Sequence, residues 1–286
     1  MKFLSVCSGI EAASVAWTPL GWQALAFAEI EKFPCAVLAH HYPETPNWGD
    51  LTKWQGWPDA TVDVLVGGTP CQSFSVAGLR QGLADPRGGL LYSYLAVAGK
   101  YRPRWVVWEN VPGVLSSDGG RDFGALLGGL AELGYGFAYR VLDAQYFGLA
   151  QRRARVFVVG HLGDWRRAAA VLFERASLSG HPAPRRSEGE GDGWVFPCIT
   201  RRGQGSLREE EGYVIEPCGG VRHLSPRELE RLQGFPDDYT LIPYRGKPAA
   251  DGPRYKALGN SMAVPVMAWI GQRIAQVDSI QIKEVA

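Results

Sequence analysis

The sequence predicts an α/β fold with a mostly parallel sheet and a small irregular domain inserted late in the chain. Two observations predict it. Up to about residue 160, short apolar runs alternate with helix-like stretches, which is typical of βαβ units and parallel sheets. Beyond that point the composition becomes irregular, and a helical pattern returns only at Ser225.

Each predicted strand is a short apolar run, and each predicted helix is a longer stretch between turn signals. Pro19 ends the first helix, and Gly67 and Gly68 end the third strand. The predicted strands cover residues 3–6, 22–28, 62–66, 105–108 and 155–159, and the predicted helices cover residues 11–17, 32–40, 90–98, 123–133 and 264–274. Because ligands bind at the carboxyl ends of strands in such sheets, the residues that follow the strands are the candidates for function.

The later part of the chain predicts the domain organisation. Residues 177–193 contain almost no apolar side chain and predict a loop, and residues 196–220 predict short strands and turns. Ser225, Pro226 and Glu228 match the N-cap, first-turn proline and N3 glutamate of a new helix. We therefore expect a large domain over residues 1–160, a small domain over residues 161–222 and a return to the large domain over residues 223–286.

The composition excludes several classes of protein. A hydrophobic content of 46% and a charged content of 21% indicate a globular chain, and the net charge of +1 gives no general attraction to nucleic acid or membrane. No apolar stretch suits a secretory signal or a membrane span, so we expect a soluble, intracellular, reduced protein. No two cysteines are spaced as C-x-x-C, so neither a disulfide framework nor a metal site is expected. The cysteines are Cys7, Cys35, Cys71, Cys198 and Cys218.

A cysteine in a loop directly after the third predicted strand is the strongest local signal. Cys71 lies in the segment Gly67–Ser75 (GGTPCQSFS), where Pro70 restricts the backbone beside the sulfur. The loop continues to Gly89 and is long enough to close over a substrate. A buried structural cysteine is the commoner alternative to a nucleophile, so Cys71 by itself leaves both interpretations open.

Three further motifs place polar groups at the ends of predicted elements. Glu109 follows an apolar strand and is either a proton donor with a raised pKa or an ordinary capping acid. Gln151, Arg153 and Arg155 share one face of an extended segment, which suits a polyanion or a base, but equally a solvated strand edge. Asn260 precedes the last helix and is either a ligand contact or a helix cap.

The turn after the first strand, Ser5–Glu11 (SVCSGIE), is a place where cofactors commonly bind. It lacks the G-x-G-x-x-G pattern, so the fingerprint of a nicotinamide cofactor is absent. Glu29 follows the second strand and is placed to bind ribose hydroxyls, and Asp50 is placed to reach an adenine amino group. Each of these signals is weak by itself.

Taken in order, the motifs resemble those of the C5-cytosine-specific DNA methyltransferases of bacteria and phages. The resemblance covers nearly the whole chain. It implies a Rossmann-like catalytic domain that binds S-adenosyl-L-methionine (AdoMet), a small inserted target-recognition domain, and a C-terminal segment that completes the catalytic domain. The motifs are Pro70-Cys71-Gln72, Glu109-Asn110-Val111, Gln151–Arg155 (QRRAR), Ser225–Pro236 (SPRELERLQGFP) and Gly259-Asn260-Ser261.

The resemblance implies transfer of a methyl group from AdoMet to C5 of a cytosine in double-stranded DNA, which leaves S-adenosyl-L-homocysteine (AdoHcy) and uses no metal. Cys71 would add to C6, since C5 becomes nucleophilic only after such an addition. A protonated Glu109 would bind N3, and Arg153 or Arg155, mainly Arg155, would bind O2. The base must be flipped out, because C6 cannot be reached inside a duplex.

Two sets of binding residues follow from the resemblance. The expected AdoMet pocket combines both ends of the chain: Cys7, Ser8, Gly9, Glu29, Ile30, Asp50, Leu51, Pro70, Leu90, Asn260 and Met262. The expected DNA contacts come from the closing loop, the QRRAR segment and the recognition region, where Gln204 would fill the gap left by the flipped base: Gln72, Ser73, Ser75, Arg80, Arg87, Gln151, Arg202 and Gln204.

The chain departs from the family pattern in the cofactor motifs. Cys7 stands where a phenylalanine is usual, Glu11 and Ala12 follow where a glycine pair is usual, and Ile30 replaces a bulkier residue that packs on adenine. These changes bear on AdoMet affinity. The short recognition region predicts a short or relaxed target, and we expect a monomer in the cytoplasm of a bacterial cell, encoded by a chromosome or a phage and connected with restriction–modification.

Three other interpretations remain open. A tRNA cytosine-5 methyltransferase of the same superfamily would use the same chemistry and differ in its recognition region. A catalytically silent DNA-binding protein would have no need of the intact Cys71, Glu109 and arginines. A cysteine hydrolase would pair Cys71 with a histidine, but all the histidines lie outside strong motifs: His40, His41, His161, His181 and His223.

Overall fold

The computed structural model describes residues 1–69, 89–174, 196, 198, 213–215 and 221–280. The strands in these residues are β1 Lys2–Val6, β2 Gln23–Ala28, β3 Val64–Gly67, β4 Trp105–Asn110, β5 Tyr135–Asp143, β6 Ala154–Leu162, β7 Tyr213–Ile215, β8 Val221–His223, β9 Pro243–Tyr244 and β10 Lys247–Pro248. A six-stranded sheet has the order β2-β1-β3-β4-β6-β5, and β7–β8 and β9–β10 form two small sheets.

The strands β1 to β4 are parallel, as the sequence predicts. Both β3 and β4 are buried along their whole length. Continuous apolar runs are typical of parallel strands that helices cover on both faces. The carboxyl ends of these strands meet at one edge of the sheet, where ligands bind in open α/β folds.

The strand β6 runs antiparallel to both β4 and β5, which the sequence alone does not predict. In this register Glu109 pairs with Phe157, and Asn110 pairs with Val156. The beginning of β6 therefore lies beside the end of β4, and Arg155 comes next to Glu109. The edge strand β5 is also missing from the predicted elements, because it is half exposed and has no continuous apolar run.

Helices cover both faces of the sheet and bury two apolar cores. They are α1 Ala12–Trp17, α2 Lys32–His41, α3 Leu90–Tyr101, α4 Arg121–Glu132, α5 Trp165–Leu172, α6 Pro226–Gln233, α7 Asp251–Asn260 and α8 Val264–Asp278. Successive residues of β1 face opposite cores: Phe3 packs with α1 and α8, and Leu4 packs with α3 and α4. The indole Nε1 of Trp17 donates to the Met267 carbonyl at 2.7 Å and so ties α1 to α8.

The packing of the large domain continues past residue 160. His161 and Leu162 still belong to β6, and α5 packs against β5, β6 and α8. Ala168, Val171 and Leu172 are fully buried in the same core as α8. The predicted start of the small domain at residue 161 is therefore too early. The two arginines at the start of α5 make its sequence look polar, although the helix has a buried face.

The C-terminal segment returns to the sheet, since α8 packs on α1 and α5. At the start of α6 the predicted capping box is present: Ser225 Oγ accepts from Glu228 N at 3.3 Å, and the Glu228 carboxylate accepts from Ser225 N at 2.7 Å. No helix in the described part of the chain is both long and apolar enough to cross a membrane.

Candidate active site

A pocket lies at the carboxyl edge of β1, β3 and β4, and its empty space, including the part open to solvent, is about 410 Å³. It joins the turn after β1, the end of β4 and the connection between α7 and α8. Glu11 and Glu109 are the charged residues of its described lining, which contains no lysine, arginine or histidine. The described lining therefore offers no positively charged side chain to a ligand. Its lining residues are Ser5, Val6, Cys7, Ser8, Gly9, Glu11, Ala12, Ala13, Val66, Gly68, Glu109, Asn260, Ser261 and Met262.

The turn after β1 has an unusual backbone. Cys7, Gly9 and Glu11 all have positive φ angles, of 50°, 56° and 68°, a region that residues with a Cβ rarely occupy. Ser8 fixes this turn to β2, because its Oγ accepts from Ala28 N at 3.1 Å. The predicted residues Cys7, Ser8 and Gly9 all line the pocket.

The turn after β2 supplies the predicted Glu29 and Ile30. The Glu29 carboxylate accepts hydrogen bonds from the backbone amides of Gly9, Ile30 and Glu31 at 2.8, 2.8 and 2.7 Å. It thereby holds the turns after β1 and β2 together. Ile30 is 69% exposed, so its apolar side chain is available to pack on a flat ring.

The remaining predicted cofactor residues near these turns are Asp50, Leu51 and Leu90. Asp50 accepts from Thr52 Oγ1 at 2.7 Å and Thr52 N at 2.9 Å, and these bonds lower its pKa. Leu51 is buried, and Leu90 is half-buried at the start of α3. Burial and two nearby carboxylates raise the pKa of Cys7 to about 12, so this thiol stays neutral near pH 7 and is no nucleophile.

Glu109 is the acid of the site. It lies in the last part of β4, lines the pocket and is 9% exposed. Burial raises its pKa, and the guanidinium groups of Arg155 and Arg153 offset part of this shift. Arg155 Nε lies 3.2 Å from Glu109 Oε1. The carboxyl group therefore keeps its proton to a higher pH than an exposed glutamate, although a cation lies beside it.

Gly68 leaves the space that Glu109 occupies. A Cβ at residue 68 would lie 2.9 Å from Glu109 Oε2 and 3.2 Å from the Glu109 carbonyl oxygen. The sequence shows Gly68 only as the end of a strand. Its contact with the acid depends on the pairing of β3 with β4 and was not predicted.

Two side chains of β4 anchor the chain just before residue 70. Asn110 Nδ2 donates to the Thr69 carbonyl at 2.8 Å, and Trp108 Nε1 donates to Thr69 Oγ1 at 3.0 Å. The sheet therefore fixes the point from which the predicted Cys71 segment begins. The following predicted site residues lie outside the described residues: Pro70, Cys71, Gln72, Ser73, Ser75, Arg80, Arg87, Arg202 and Gln204.

Arg153 lies in the interior and contacts the far end of the chain. It is 2% exposed, and its guanidinium donates to the carbonyls of Gly259 and Ser261 at 3.0 and 2.7 Å. Arg153 thus holds the connection that places Asn260 and Met262 at the pocket. Burial lowers its pKa to about 10, so it remains charged near pH 7.

Arg155 is the arginine that contacts the acid. Its other nitrogens also have partners: Nη1 donates to the Ala154 carbonyl at 2.8 Å, and both Nη atoms lie 3.7 Å from Cys198 Sγ. The guanidinium is therefore fixed beside Glu109 before any substrate binds. Its predicted contact with O2 of cytosine stays a prediction.

Gln151 is a correction to the predicted DNA contacts. It is fully buried, its Nε2 donates to the Leu232 carbonyl at 2.8 Å, and its backbone pairs with Phe196. Gln151 and Arg153 face inward, whereas Arg152 between them is exposed. The side chains of the segment alternate as predicted. However, Gln151 and Arg153 point into the protein, because other segments cover that face.

Glu11 and Ser261 line the pocket although neither was predicted to do so. In the sequence, Glu11 stands out only as a departure from the family pattern. A charged residue inside a cofactor-binding turn was the available signal. Among the described residues, no three His, Cys, Asp or Glu side chains form a group that could hold a metal ion.

A mostly parallel sheet with a pocket at its carboxyl edge defines a Rossmann-like enzyme, and the buried acid beside an arginine indicates proton chemistry at that edge. The family model described as C-5 cytosine-specific DNA methylase matches residues 1–179 and 181–276. The chain therefore belongs to the C-5 cytosine-specific DNA methylase family. Membership of this family implies AdoMet as the methyl donor.

Curated relatives of the chain are methyltransferases of bacteria and phages. A protein of Escherichia phage P1 named DNA N-6-adenine-methyltransferase is 34% identical, over 95% of this chain and 61% of its own length. A Type II methyltransferase of Bacillus subtilis (strain 168) is 32% identical, over 96% of this chain and 76% of its own. The chain thus spans less than two thirds of the phage P1 protein.

Solved structures share the fold over nearly the whole chain. A Dnmt2 methyltransferase of S. pombe has a TM-score of 0.72 and 16% identity, over 97% of this chain and 99% of its own. A prophage-encoded putative DNA modification methyltransferase of E. coli has a TM-score of 0.67 and 17% identity, over 98% and 100%. These similarities confirm the predicted Rossmann-like α/β fold.

Proposed function

We propose that this protein transfers a methyl group from AdoMet to C5 of cytosine in double-stranded DNA. The observation that carries the proposal is Glu109, a buried acid with a raised pKa at the pocket and 3.2 Å from Arg155. Activation of C5 requires a proton at N3 and a hydrogen-bond donor at O2. An acid with a raised pKa, next to a fixed guanidinium, suits both needs.

The pocket suits AdoMet, a nucleoside with a positively charged methionine part. Its described charged residues are acidic, and the strand ends next to it carry two more carboxylates and an exposed apolar side chain for the adenine ring. When bound, AdoMet supplies an electrophilic methyl group, and we assign no metal to the reaction. The residues assigned to its binding are Cys7, Ser8, Gly9, Glu29, Ile30, Asp50, Leu51, Pro70, Leu90, Asn260 and Met262.

In the proposed reaction, the Cys71 thiolate forms a bond with C6, and the displaced electron pair moves toward N3. Glu109 delivers its proton to N3, while Arg155 donates to O2. The C5 electron pair forms a bond with the methyl group of AdoMet, the S–CH3 bond breaks, and AdoHcy is the leaving group. A base then removes the C5 proton. The C6–sulfur bond then breaks, the ring double bond returns, and Glu109 recovers the proton from N3.

The proposed substrate is a cytosine flipped out of the duplex, at a cost of about a few kcal/mol. Target recognition is assigned to the short region that follows α5, and the protein is proposed to act as a monomer in the bacterial cytoplasm within restriction–modification. The residues proposed to contact DNA are Gln72, Ser73, Ser75, Arg80, Arg87, Arg202 and Gln204.

Methylation of adenine at N6 is a second candidate, because the relative from phage P1 carries that name. An exocyclic amine is itself the nucleophile and needs no thiol addition to a ring carbon. The pairing of Glu109 with Arg155, together with Cys71, favours cytosine C5 instead.

Transfer from labelled AdoMet to mixed-sequence duplex DNA, followed by nucleoside analysis, tests the proposal. We expect 5-methylcytosine from the wild type, none from Cys71→Ala, and wild-type yield from Glu132→Gln, an exposed glutamate at the end of α4. N6-methyladenine would support the second candidate. Methylation of RNA alone would support a tRNA methyltransferase, and AdoMet binding without transfer would support a silent DNA-binding protein.

A further inference from the structure

Glu11 is a buried charged group of the pocket that the proposed mechanism does not use. The residue lines the pocket and is 1% exposed. One carboxylate oxygen, Oε1, accepts from Ser14 N at 3.1 Å and from Ser14 Oγ at 3.2 Å. The other, Oε2, has no hydrogen-bond partner among the described residues. A buried carboxylate oxygen without a donor is unfavourable, so this one indicates a ligand that supplies the donor.

The backbone of Glu11 points to the same conclusion. Its φ of 68° and ψ of 59° are left-handed, a conformation that glycine adopts without strain and other residues rarely adopt. In this chain, a glutamate stands where the family pattern has glycine. Strained backbone of this kind persists mainly at functional sites, and here the strained residue carries the unpartnered oxygen.

Among the described residues, no cation lies near Glu11 to neutralise it. Burial raises its pKa to about 7, the nearby hydroxyl of Ser5 and the hydrogen bonds from Ser14 act in the opposite direction, and the charge of Glu29 raises the pKa further. The titratable groups near Glu11 or along the same pocket, from each neighbouring element, are acidic or neutral: Cys7, Glu29, Tyr42, Glu109 and Tyr239. A positively charged ligand would satisfy both the unpartnered oxygen and the charge.

We propose that Glu11 binds the α-ammonium group in the methionine part of AdoMet, an inference that rests on the proposed function. The ammonium group offers N–H donors for Oε2 and keeps its charge throughout the reaction. The sulfonium group offers no donor and loses its charge when the methyl group leaves. A carboxylate paired with the sulfonium would stabilise bound AdoMet more than the transition state and would slow the transfer.

Three ligands separate the two cationic groups. AdoMet carries both the ammonium and the sulfonium, AdoHcy carries only the ammonium, and 5′-methylthioadenosine carries neither. Calorimetric titration of wild type and Glu11→Gln at pH 7.5 should show that the substitution weakens AdoMet and AdoHcy by a similar factor, about tenfold or more. Binding of 5′-methylthioadenosine should change less than about twofold, which also shows that the pocket is intact.

Two variants distinguish the loss of the Glu11 charge from a local folding defect. Glu11→Gln keeps an oxygen for Ser14, and Glu11→Gly suits the left-handed backbone. Both variants should lose AdoHcy affinity equally if the charge of Glu11 is what binds the ligand. A loss in Glu11→Gln that is absent in Glu11→Gly would instead indicate local distortion and would overturn the proposal.

The affinity should also depend on pH. Only the ionised carboxylate attracts the ammonium, so wild-type affinity for AdoHcy should rise as the pH increases through about 7, the pKa of free Glu11. This rise should be absent in Glu11→Gln. Near pH 6.5, AdoHcy binding should release protons, detectable as different heats in buffers of different ionisation enthalpy.

The outcomes distinguish this inference from the proposed function. A loss of AdoMet affinity alone would assign Glu11 to the sulfonium, and equal losses for all three ligands would give it a purely structural role; either result overturns the proposal. Unchanged AdoMet and AdoHcy binding would also overturn it while leaving the proposed function intact. A wild type that binds none of the three ligands would contradict the proposed function itself.

Discussion

Two buried glutamate–arginine pairs of this protein have the same separation and different surroundings. In Glu109–Arg155 and in Glu230–Arg254, a guanidinium nitrogen lies 3.2 Å from a carboxylate oxygen. Glu230 is fully buried and also accepts from two backbone amides, at 2.7 and 2.8 Å. Glu109 lines the pocket, and no backbone amide of the described residues donates to its carboxylate.

The difference shows why one buried glutamate–arginine pair only stabilises the fold and the other is available for catalysis. Fixed backbone donors saturate Glu230, so its pairing with Arg254 ties α6 to α7 and leaves no capacity for a ligand. Glu109 keeps unused hydrogen-bonding capacity in a place that raises its pKa. A buried acid acquires chemistry when the fold leaves its carboxyl group unsaturated at a pocket.

The largest effect is expected for Glu109→Gln. Glutamine cannot protonate N3, so kcat on duplex DNA should fall by about 10²- to 10⁴-fold, while AdoMet affinity changes far less. Steady-state kinetics and calorimetric titration of the same preparation measure both. A variant with more than a tenth of the wild-type kcat would remove the distinction between the two pairs.

Loss of the Glu230–Arg254 pair should lower the stability of the fold. Arg254→Met leaves the saturated Glu230 buried without its cation, and the free energy of unfolding should fall by about 3–5 kcal/mol. Urea unfolding measures this loss, and kcat of the folded variant at low temperature should stay near wild type. Arg231→Met, on the exposed pair with Asp237, is the control and should unfold almost like wild type.

Arg153 and Arg155, just before and at the start of β6, have different expected effects on the pH dependence of kcat. Arg155 offsets more of the pKa shift of Glu109 than Arg153 does, so Arg155→Met should raise this pKa further. Because the protonated carboxyl is the active form, the alkaline fall of kcat should move to higher pH. The plateau should drop about 10- to 100-fold, since O2 loses its charged donor.

Arg153→Met is the matched control for Arg155→Met. It removes the bonds to Gly259 and Ser261, so the loss should appear in thermal stability and AdoMet affinity. The alkaline limb should move less than in Arg155→Met. A larger movement would mean that Arg153, and not Arg155, is the partner of the acid.

A smaller effect is expected for Gly68→Ala. The new Cβ would displace the Glu109 carboxyl group, at a cost of about 1–3 kcal/mol, and should reduce kcat while AdoMet still binds. Gly124→Ala in α4, where a Cβ meets open space, is the control and should leave kcat unchanged. Equal kcat in both variants would show that the position of Glu109 is not critical.

The smallest effect belongs to a third, partly exposed pair, Arg222–Glu228, with a separation of 2.8 Å. The bonds from Arg222, followed by those from Ser225, lower the pKa of Glu228 from 4.5 to about 2. Glu228→Gln should lose about 1 kcal/mol of unfolding free energy at pH 7. This advantage of the wild type should hold above about pH 5 and vanish as the pH falls toward 2, which urea unfolding at several pH values measures.

The sequence predicted most of the parallel sheet, because each apolar run is a local feature that needs only burial to become a strand. The directions of β5 and β6 could not be predicted in the same way, since an antiparallel neighbour depends on partners far away in the chain. The early boundary at residue 161 has a related cause. Three buried residues of α5 follow two arginines, and only the packing against α8 shows which face is covered.

In the candidate site, too, local motifs predict some features, and contacts between distant segments decide the others. The motifs identify Glu109 and Arg155 because both residue types are required by the proposed chemistry. They do not reveal that Gln151 faces the interior, since the segments that cover it come from residues 196 and 232. They also do not reveal the interior role of Arg153, which depends on a contact with the far end of the chain.

The sequence by itself determined the family, the order of the motifs and the apolar strands that carry them, because these properties are written in local residue types. Tertiary structure alone decided which polar groups are saturated and which are left for a ligand. The unpartnered oxygen of Glu11, the space beside Gly68 and the pairing of Glu109 with Arg155 at the pocket all depend on strands and turns brought together from distant segments. Hydrogen bonding and burial are properties of those neighbours, and a linear sequence does not name them.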